Sequence, residues 1–325
     1  MKVGIIGCGL IGKKRAMSLS PKDLIAVADI DLIKADLFKE INPDIKVFNE
    51  WDKILSLKEI ELIIIATTNN LLSEITYEAV KANKHVIVEK PAAKNFMELE
   101  RVLSALKDSK SKVKVGFNHR YHPGLKKAYE IFKSGVLGEL MFIRGRYGHG
   151  GRVGYEKEWR ANPLISGGGE LIDQGVHLID LSRWFLGKFK NIYGLAKNYY
   201  WDMPVEDNCF MSLETQDGKI AWLQVSCTEW KNMFSFEIYG KYGKLQIDGL
   251  GGSYGIERLS YYKMLPEMGP PGTTIWEFPG EDRSWKDEYN DFIKSIQENS
   301  KINGDLRDAY EALKIINYIY KRNEK

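Results

Sequence analysis

The chain is predicted to form an α/β domain with a doubly wound parallel sheet, followed by an α+β domain with a mostly antiparallel open sheet. Three observations lead there. Short, continuous apolar runs alternate with helical spacing over the first third of the chain. Beyond it the runs lengthen and are broken by turn residues. The length of 325 residues exceeds one ordinary domain and suits two of about 100–200 residues each. The boundary is expected at Tyr121, giving domains 1–121 and 122–325.

Taken in order, Val3–Ile6 reads as the first strand, and Gly7-Cys8-Gly9-Leu10-Ile11-Gly12 leads into a helix that continues from Lys13 to near Ser20. Leu24–Ala28 is a second strand ending at Asp29, Lys46–Phe48 a weaker one, and Glu61–Ala66, His85–Val88 and Lys112–Phe117 are three more. Ile75, Ala79 and Val80, then Leu99, Val102, Leu103 and Leu106, recur at helical spacing between them. Continuously apolar strands separated by helices belong to a parallel sheet covered on both faces. After residue 121 a helix is expected over Pro123–Ser134, a long strand over Leu140–Tyr147, and a helix over Glu170–Leu186 that Gly187 terminates. Strands follow at about 189–199, 206–215, 218–228, 234–240 and 243–248. Gln216-Asp217-Gly218-Lys219 reads as a tight hairpin turn between two of them. A closing helix near 305–322 could pack on either domain.

Composition narrows the function classes. Apolar residues make up 44% and charged residues 28%, too much buriable surface for a disordered chain. A formal charge of +3 argues against nucleic acid or an anionic membrane as the main partner. Cys8, Cys209 and Cys227 form no CxxC pair, so no metal site is expected and the thiols read as reduced. No apolar run approaches the roughly 20 residues that span a bilayer. The first strand follows Met1-Lys2 directly, and the cytoplasm is the expected location.

The first motif is a dinucleotide site. Gly7-x-Gly9-x-x-Gly12 follows a strand and opens a helix, and Asp29 ends the next strand. In such a motif the first glycine permits the turn, the second lets backbone approach a pyrophosphate, and the third lets helix and strand pack closely. Backbone N–H groups of Gly9, Leu10, Ile11 and Gly12 would meet the phosphates at the helix N-terminus. A carboxylate at Asp29 suits ribose hydroxyls and repels a 2′-phosphate, which favours NAD over NADP.

Three further segments resemble one family. Glu89-Lys90-Pro91 follows the strand His85–Val88. Asp173-x-Gly175-x-His177 follows Gly167-Gly168-Gly169, and Phe117-Asn118-His119-Arg120-Tyr121-His122-Pro123 joins the two halves. In this order, with the glycine-rich opening and Asp29, the chain resembles the glucose–fructose oxidoreductase / inositol dehydrogenase / MocA family. The resemblance implies a Rossmann domain, an NAD-dependent oxidoreductase acting on sugars, inositols or their derivatives, and a substrate cleft between the two domains. It also implies a homodimer or homotetramer assembled through the second sheet. Family roles fall on Lys90, Asp173 and His177 as the catalytic group.

Residue chemistry supports those roles. Oxidising a secondary alcohol moves a hydride to the nicotinamide and needs a group that holds the hydroxyl proton near the working pH. His177 suits that task, and the Lys90 ammonium can bond the substrate oxygen, or exchange the proton itself if its pKa is lowered. Four residues apart on an α-helix, Asp173 and His177 would share a face. Glu89 reads as a structural or cofactor-side contact. Where many family members have Thr-Pro-x-x-x-His, this chain has Thr67-Thr68-Asn69-Asn70-Leu71-Leu72, so no role transfers to Leu72, while Thr67 and Asn69 stay candidates for cofactor contact.

Substrate contacts are expected from Arg120, Tyr147, Trp159 and Arg160, beside Lys90, Asp173 and His177. Arg144 and Arg146 share one strand face, and their forks suit a phosphate or carboxylate, or a solvated or subunit-contact surface. The stretch Lys157–Asp173 is similar to members that oxidise nucleotide-activated amino sugars at the 3-position. The resemblance therefore implies a pyranose dehydrogenase, with a UDP-N-acetylhexosamine as the leading substrate and free sugar or inositol oxidation as the close competitor. Two readings of other classes stand beside it. One is a non-catalytic, NAD-dependent regulator, and the other a glycoside hydrolase that uses NAD without net redox change.

Overall fold

The computed structural model describes residues 1–267 and 269–323. The chain divides into two compact units. The first holds Met1–Phe117, Leu164–Gly167 and Trp285–Leu313, and the second Asn118–Pro163, Gly168–Ser284 and the chain from Lys314 onward. The expected cut at 121 thus falls four residues late, and two later segments return to the first unit.

The first unit is built on six strands: β1 (Val3–Ile6), β2 (Leu24–Ala28), β3 (Lys46–Phe48), β4 (Leu62–Ile65), β5 (His85–Val88) and β6 (Val113–Val115). All pair in parallel in the order β3-β2-β1-β4-β5-β6. That order reverses direction between β1 and β4, the switch point at which open α/β sheets bind ligands. The central strands β1 and β4 are buried along their whole length, as crossover helices on both faces require, whereas the edge strand β3 is not. Among those helices are α1 (Leu10–Met17), α2 (Asn69–Lys81) and α3 (Phe96–Lys107). Val3, Ile5, Leu24, Val27, Leu62 and Phe292 are part of its core.

The second unit carries α4 (Pro123–Lys133) and the long strand β7 (Leu140–Gly148). After it come a π-helical turn, Leu171–Gly175, and α5 (Val176–Leu186). Strands β8 (Phe189–Lys197), β9 (Asn208–Thr215), β10 (Ile220–Ser226), β11 (Met233–Gly240), β12 (Gly243–Asp248), β13 (Glu257–Lys263) and β14 (Gly272–Phe278) complete an eight-stranded sheet ordered β14-β13-β12-β11-β7-β10-β9-β8. Only β7 and β10 pair in parallel among the described strands. One face packs on α5, where Gly145 brings β7 so close that a Cβ would lie 3.4 Å from Leu178. The other face leaves Met141, Arg144, Arg146 and Trp222 in solvent. Two long helices follow later in the chain, α6 (Ser284–Gln297) and α7 (Leu306–Asn323).

Several elements were not expected, among them β13, β14 and α6. Polar residues interrupt β13, the edge strand β14 is largely exposed, and so neither presents a continuous apolar run. Helix α6 buries Phe292 and half-buries Tyr289, Ile293 and Ile296 at helical spacing within a polar stretch.

Candidate active site

The cofactor motif lies wholly in the first unit. Gly7 has φ +96°, and a Cβ there would meet the Ala66 carbonyl oxygen at 2.5 Å. A Cβ on Gly12 would collide with the Gly7 carbonyl oxygen. Both glycines are therefore demanded by the folded chain itself. Gly9 is different: its φ of −72° is ordinary, and an added Cβ meets nothing within 4 Å. The open space at Gly9 is the cradle that a close-approaching phosphate needs. The first helical bond runs from the Lys13 N–H to the Gly9 carbonyl, so the N–H groups of Leu10, Ile11 and Gly12 precede it and face the helix N-terminus. Asp29 accepts the Cys8 N–H at 2.6 Å and the Asp31 N–H at 2.9 Å, which fixes its carboxylate at the end of β2. Burial and Asp29 push the Cys8 thiol up to about 12, so it stays protonated.

Other first-unit candidates divide. Thr67 is half-buried beside this loop, and its hydroxyl donates to the Thr68 carbonyl. The buried amide of Asn69 donates to the Ser166 carbonyl at 2.8 Å and ties two segments of the unit together. Glu89 takes the structural one of its two expected roles: it is buried, and its carboxylate is held by Arg15 at 2.6 Å inside the unit. Lys90 follows it across a cis bond to Pro91 and is half-buried, while 86–89 and 91–93 are buried.

The second unit gathers Tyr147, Trp159, Arg160, Asp173 and His177. His177 is buried, and its ring lies against His119 with centroids 3.8 Å apart and planes tilted by 30°. Tyr147 packs edge-on to His119 at 5.1 Å and to His177 at 6.1 Å, and its hydroxyl bonds Tyr254. Burial raises the Tyr147 phenol well above its usual range and also raises that of Tyr254, so they act as neutral hydrogen-bonding groups. Asp173 pairs with Arg160 Nε at 3.2 Å, and the guanidinium lies over the Trp159 ring. Behind this group, Glu170 accepts the Tyr155 hydroxyl at 2.7 Å and faces His149 Nε2 at 3.4 Å. The Gly151 N–H donates to His149 Nδ1, which fixes the neutral tautomer with its proton on Nε2.

Asp173 lies in the π turn, which ends just before α5, so its bonding register differs from the α-helix expected there. Such irregularities are common at functional sites. Arg120 is also corrected. It is buried, donates to both Asp180 oxygens and stacks on Trp184, so it braces α5. Arg144 and Arg146 project from the sheet face opposite His177, and Arg144 is held by Glu237 and Tyr239. Sequence reasoning did not single out His119 and Tyr254 as site residues. His119 stood in the quoted 117–123 motif, but only the fold stacks it on His177.

Fold and site together define a dinucleotide-binding oxidoreductase. Residues 1–117 match the family model described as oxidoreductase family, NAD-binding Rossmann fold, and residues 125–246 match the GFO/IDH/MocA C-terminal domain. The chain belongs to the Gfo/Idh/MocA oxidoreductase family, and NAD is its cofactor. It is similar to a levoglucosan dehydrogenase of Pseudarthrobacter phenanthrenivorans, with 23% identity over 96% of this chain and 93% of that protein. A solved levoglucosan dehydrogenase in complex with NADH and levoglucosan superposes with a TM-score of 0.89 at 22% identity, covering 100% of this chain and 97% of the other. An inositol 2-dehydrogenase of Salmonella typhimurium is 28% identical over 58% of this chain and 55% of its own. The WlbA dehydrogenase of Bordetella pertussis, in complex with NADH and UDP-GlcNAcA, superposes with a TM-score of 0.83 at 18% identity, covering 100% and 97%.

Proposed function

We propose that the protein is an NAD-dependent dehydrogenase of a secondary hydroxyl on a pyranose ring, with Lys90, Asp173 and His177 as its catalytic group. Bound NAD supplies the hydride acceptor, held by the loop Gly7–Gly12 with Asp29 and Thr67. The Lys90 ammonium bonds the substrate oxygen and stabilises the charge that grows on it. The neutral imidazole of His177 takes the hydroxyl proton. Asp173 and Arg160 bond neighbouring hydroxyls as acceptor and donor, while Tyr147 and Trp159 offer apolar faces to the ring.

The observation that carries this reading is the commitment of the charged groups. Arg160 is paired with Asp173, Arg152 with Glu158, and Arg144 with Glu237. These pairs already engage Arg160 and Arg144, two of the guanidinium groups a diphosphate would call on, which favours a sugar without a nucleotide over a UDP-N-acetylhexosamine. Levoglucosan, the substrate named for the similar dehydrogenase, is such an uncharged pyranose ring. The proposal extends to a homodimer or homotetramer joined through the outer face of the eight-stranded sheet. Three buried cysteines without disulfides suit a reducing compartment, and the proposal places the protein in the cytoplasm. Among the described residues, no helix is long and apolar enough to cross a membrane.

The test is NAD reduction with levoglucosan, methyl glucosides, myo-inositol and UDP-N-acetylglucosamine, read at the nicotinamide absorbance. A pyranoside is expected to reduce NAD, with Lys90→Ala slower by about 10²–10⁴-fold. Reduction by the UDP-sugar alone would reject the nucleotide-free substrate. If no compound reduces NAD and Lys90→Ala behaves as the parent, the catalytic reading fails in favour of a regulator.

A further inference from the structure

We infer that Arg15 is the positioning residue of Lys90. Its buried guanidinium, clamped between Glu89 and Glu288, ties the lysine's loop to the helix that receives the cofactor phosphates. The inference rests on the reading of Lys90 as the group that bonds the substrate oxygen. Arg15 stands on α1, one turn past the glycine loop, and is only 1% exposed. Its Nε donates to Glu89 Oε1 at 2.7 Å and its Nη1 to Glu288 Oε2 at 2.6 Å, while Nη2 lies 2.6 Å from Glu89 Oε1 without the alignment of a hydrogen bond. The Trp285 ring lies 4.5 Å from the guanidinium. Gly116 leaves room for the cluster: a Cβ there would lie 2.7 Å from Arg15 Nη2 and 2.9 Å from Glu89 Oε2.

Stability alone does not call for this arrangement. A buried ion pair is often no better for stability than apolar side chains of the same volume. The fork of a guanidinium adds direction, because its donors have fixed angles to their acceptors. The beneficiary is the next residue in the chain. Glu89 is locked by its carboxylate and by its N–H on the Ile65 carbonyl at 2.9 Å, and the Ala92 N–H returns to the Glu89 carbonyl. Ala92 is buried at φ +73°, a backbone that an alanine keeps only where its surroundings impose it. Lys90 is thus the half-exposed residue of a stretch whose flanks cannot move. A shift of about 1 Å at such a group can cost 10²-fold in rate.

The test compares the parent, Lys90→Ala, Arg15→Lys, and the apolar triple variant Arg15→Met/Glu89→Leu/Glu288→Leu. Each is followed by thermal melting, NADH affinity, and turnover of whichever sugar the parent oxidises. Acylation of Lys90 by acetic anhydride, with and without NADH, is read by peptide mass spectrometry and needs no substrate. The folded triple variant is expected to keep NADH affinity and substrate KM within about threefold, to lose about 10²-fold in kcat, and to lose the protection that NADH gives Lys90 in the parent. Arg15→Lys keeps the charge without the fork, and about a tenfold loss confined to kcat is expected. Parental kcat and protection in either folded variant would overturn the inference, and so would failure of both to fold, which would leave the cluster a structural role only. Parental turnover in Lys90→Ala would instead overturn the catalytic reading on which it rests.

Discussion

An added methyl group at Gly9 would meet nothing in the folded chain, whereas one at Gly12 would strike the Gly7 carbonyl. The two substitutions should therefore separate cofactor binding from folding. Gly9→Ala is expected to melt with the parent and to lose at least tenfold in NADH affinity, roughly 1.4 kcal/mol. Gly12→Ala is expected to lower the melting temperature whether or not NADH is present. Fluorescence titration and thermal melting check both, and a destabilised Gly9→Ala would refute the assignment of that space to a ligand. The glycine pattern was readable in the sequence because each position has its own backbone requirement. The neighbours of Lys90 and His177 were not readable in the same way. Glu89 and Arg15 stand 74 residues apart, and nothing local marks them as partners.

The segment 199–201, in the second unit, shows how one residue organises an element. The buried Asp207 carboxylate accepts the N–H groups of Tyr199, Tyr200 and Trp201 and the amide of Asn208. Burial works against the charge, but these donors outweigh it and hold the carboxyl below its ordinary value. A lowered folded value stabilises the protein above the unfolded value, and this contribution disappears as pH falls through the folded one. Asp207→Ala should cost about 3 kcal/mol, the scale of several hydrogen bonds to one charge. Asp207→Asn should flatten the dependence of melting temperature on pH below about pH 4. An unchanged acid limb would show that Asp207 does not anchor the segment. At this scale most strands were legible, since β1, β2 and β4 are unbroken apolar runs and β5 is one after its first residue. The π turn at 171–175 was not, because its residues suit an α-helix equally well and packing decides the bonding register.

At the scale of the whole molecule, the outer face of the eight-stranded sheet exposes several large apolar side chains. Met141, Tyr193, Leu195, Ile220 and Trp222 lie on it, around a hollow of about 800 Å³ that Phe210 and Trp222 also line. Exposed patches of this kind mark interfaces. The protein is expected to sediment as a dimer or tetramer, and Trp222→Asp to shift it toward monomer, with the pH of the buffer held constant. A monomeric parent in sedimentation velocity would remove the proposed assembly.

The sequence by itself determined the fold class, the first sheet, the NAD loop and the identity of Lys90, Asp173 and His177 as candidates, because these follow from local periodicity and fixed motif spacing. Only the tertiary structure decided which charges are already paired. Arg120 with Asp180, Arg15 with Glu89 and Glu288, and Asn69 with Ser166 are contacts between residues distant in the chain. A buried polar group must find its partner wherever folding brings one within reach, and that partner leaves no trace in the residues beside it.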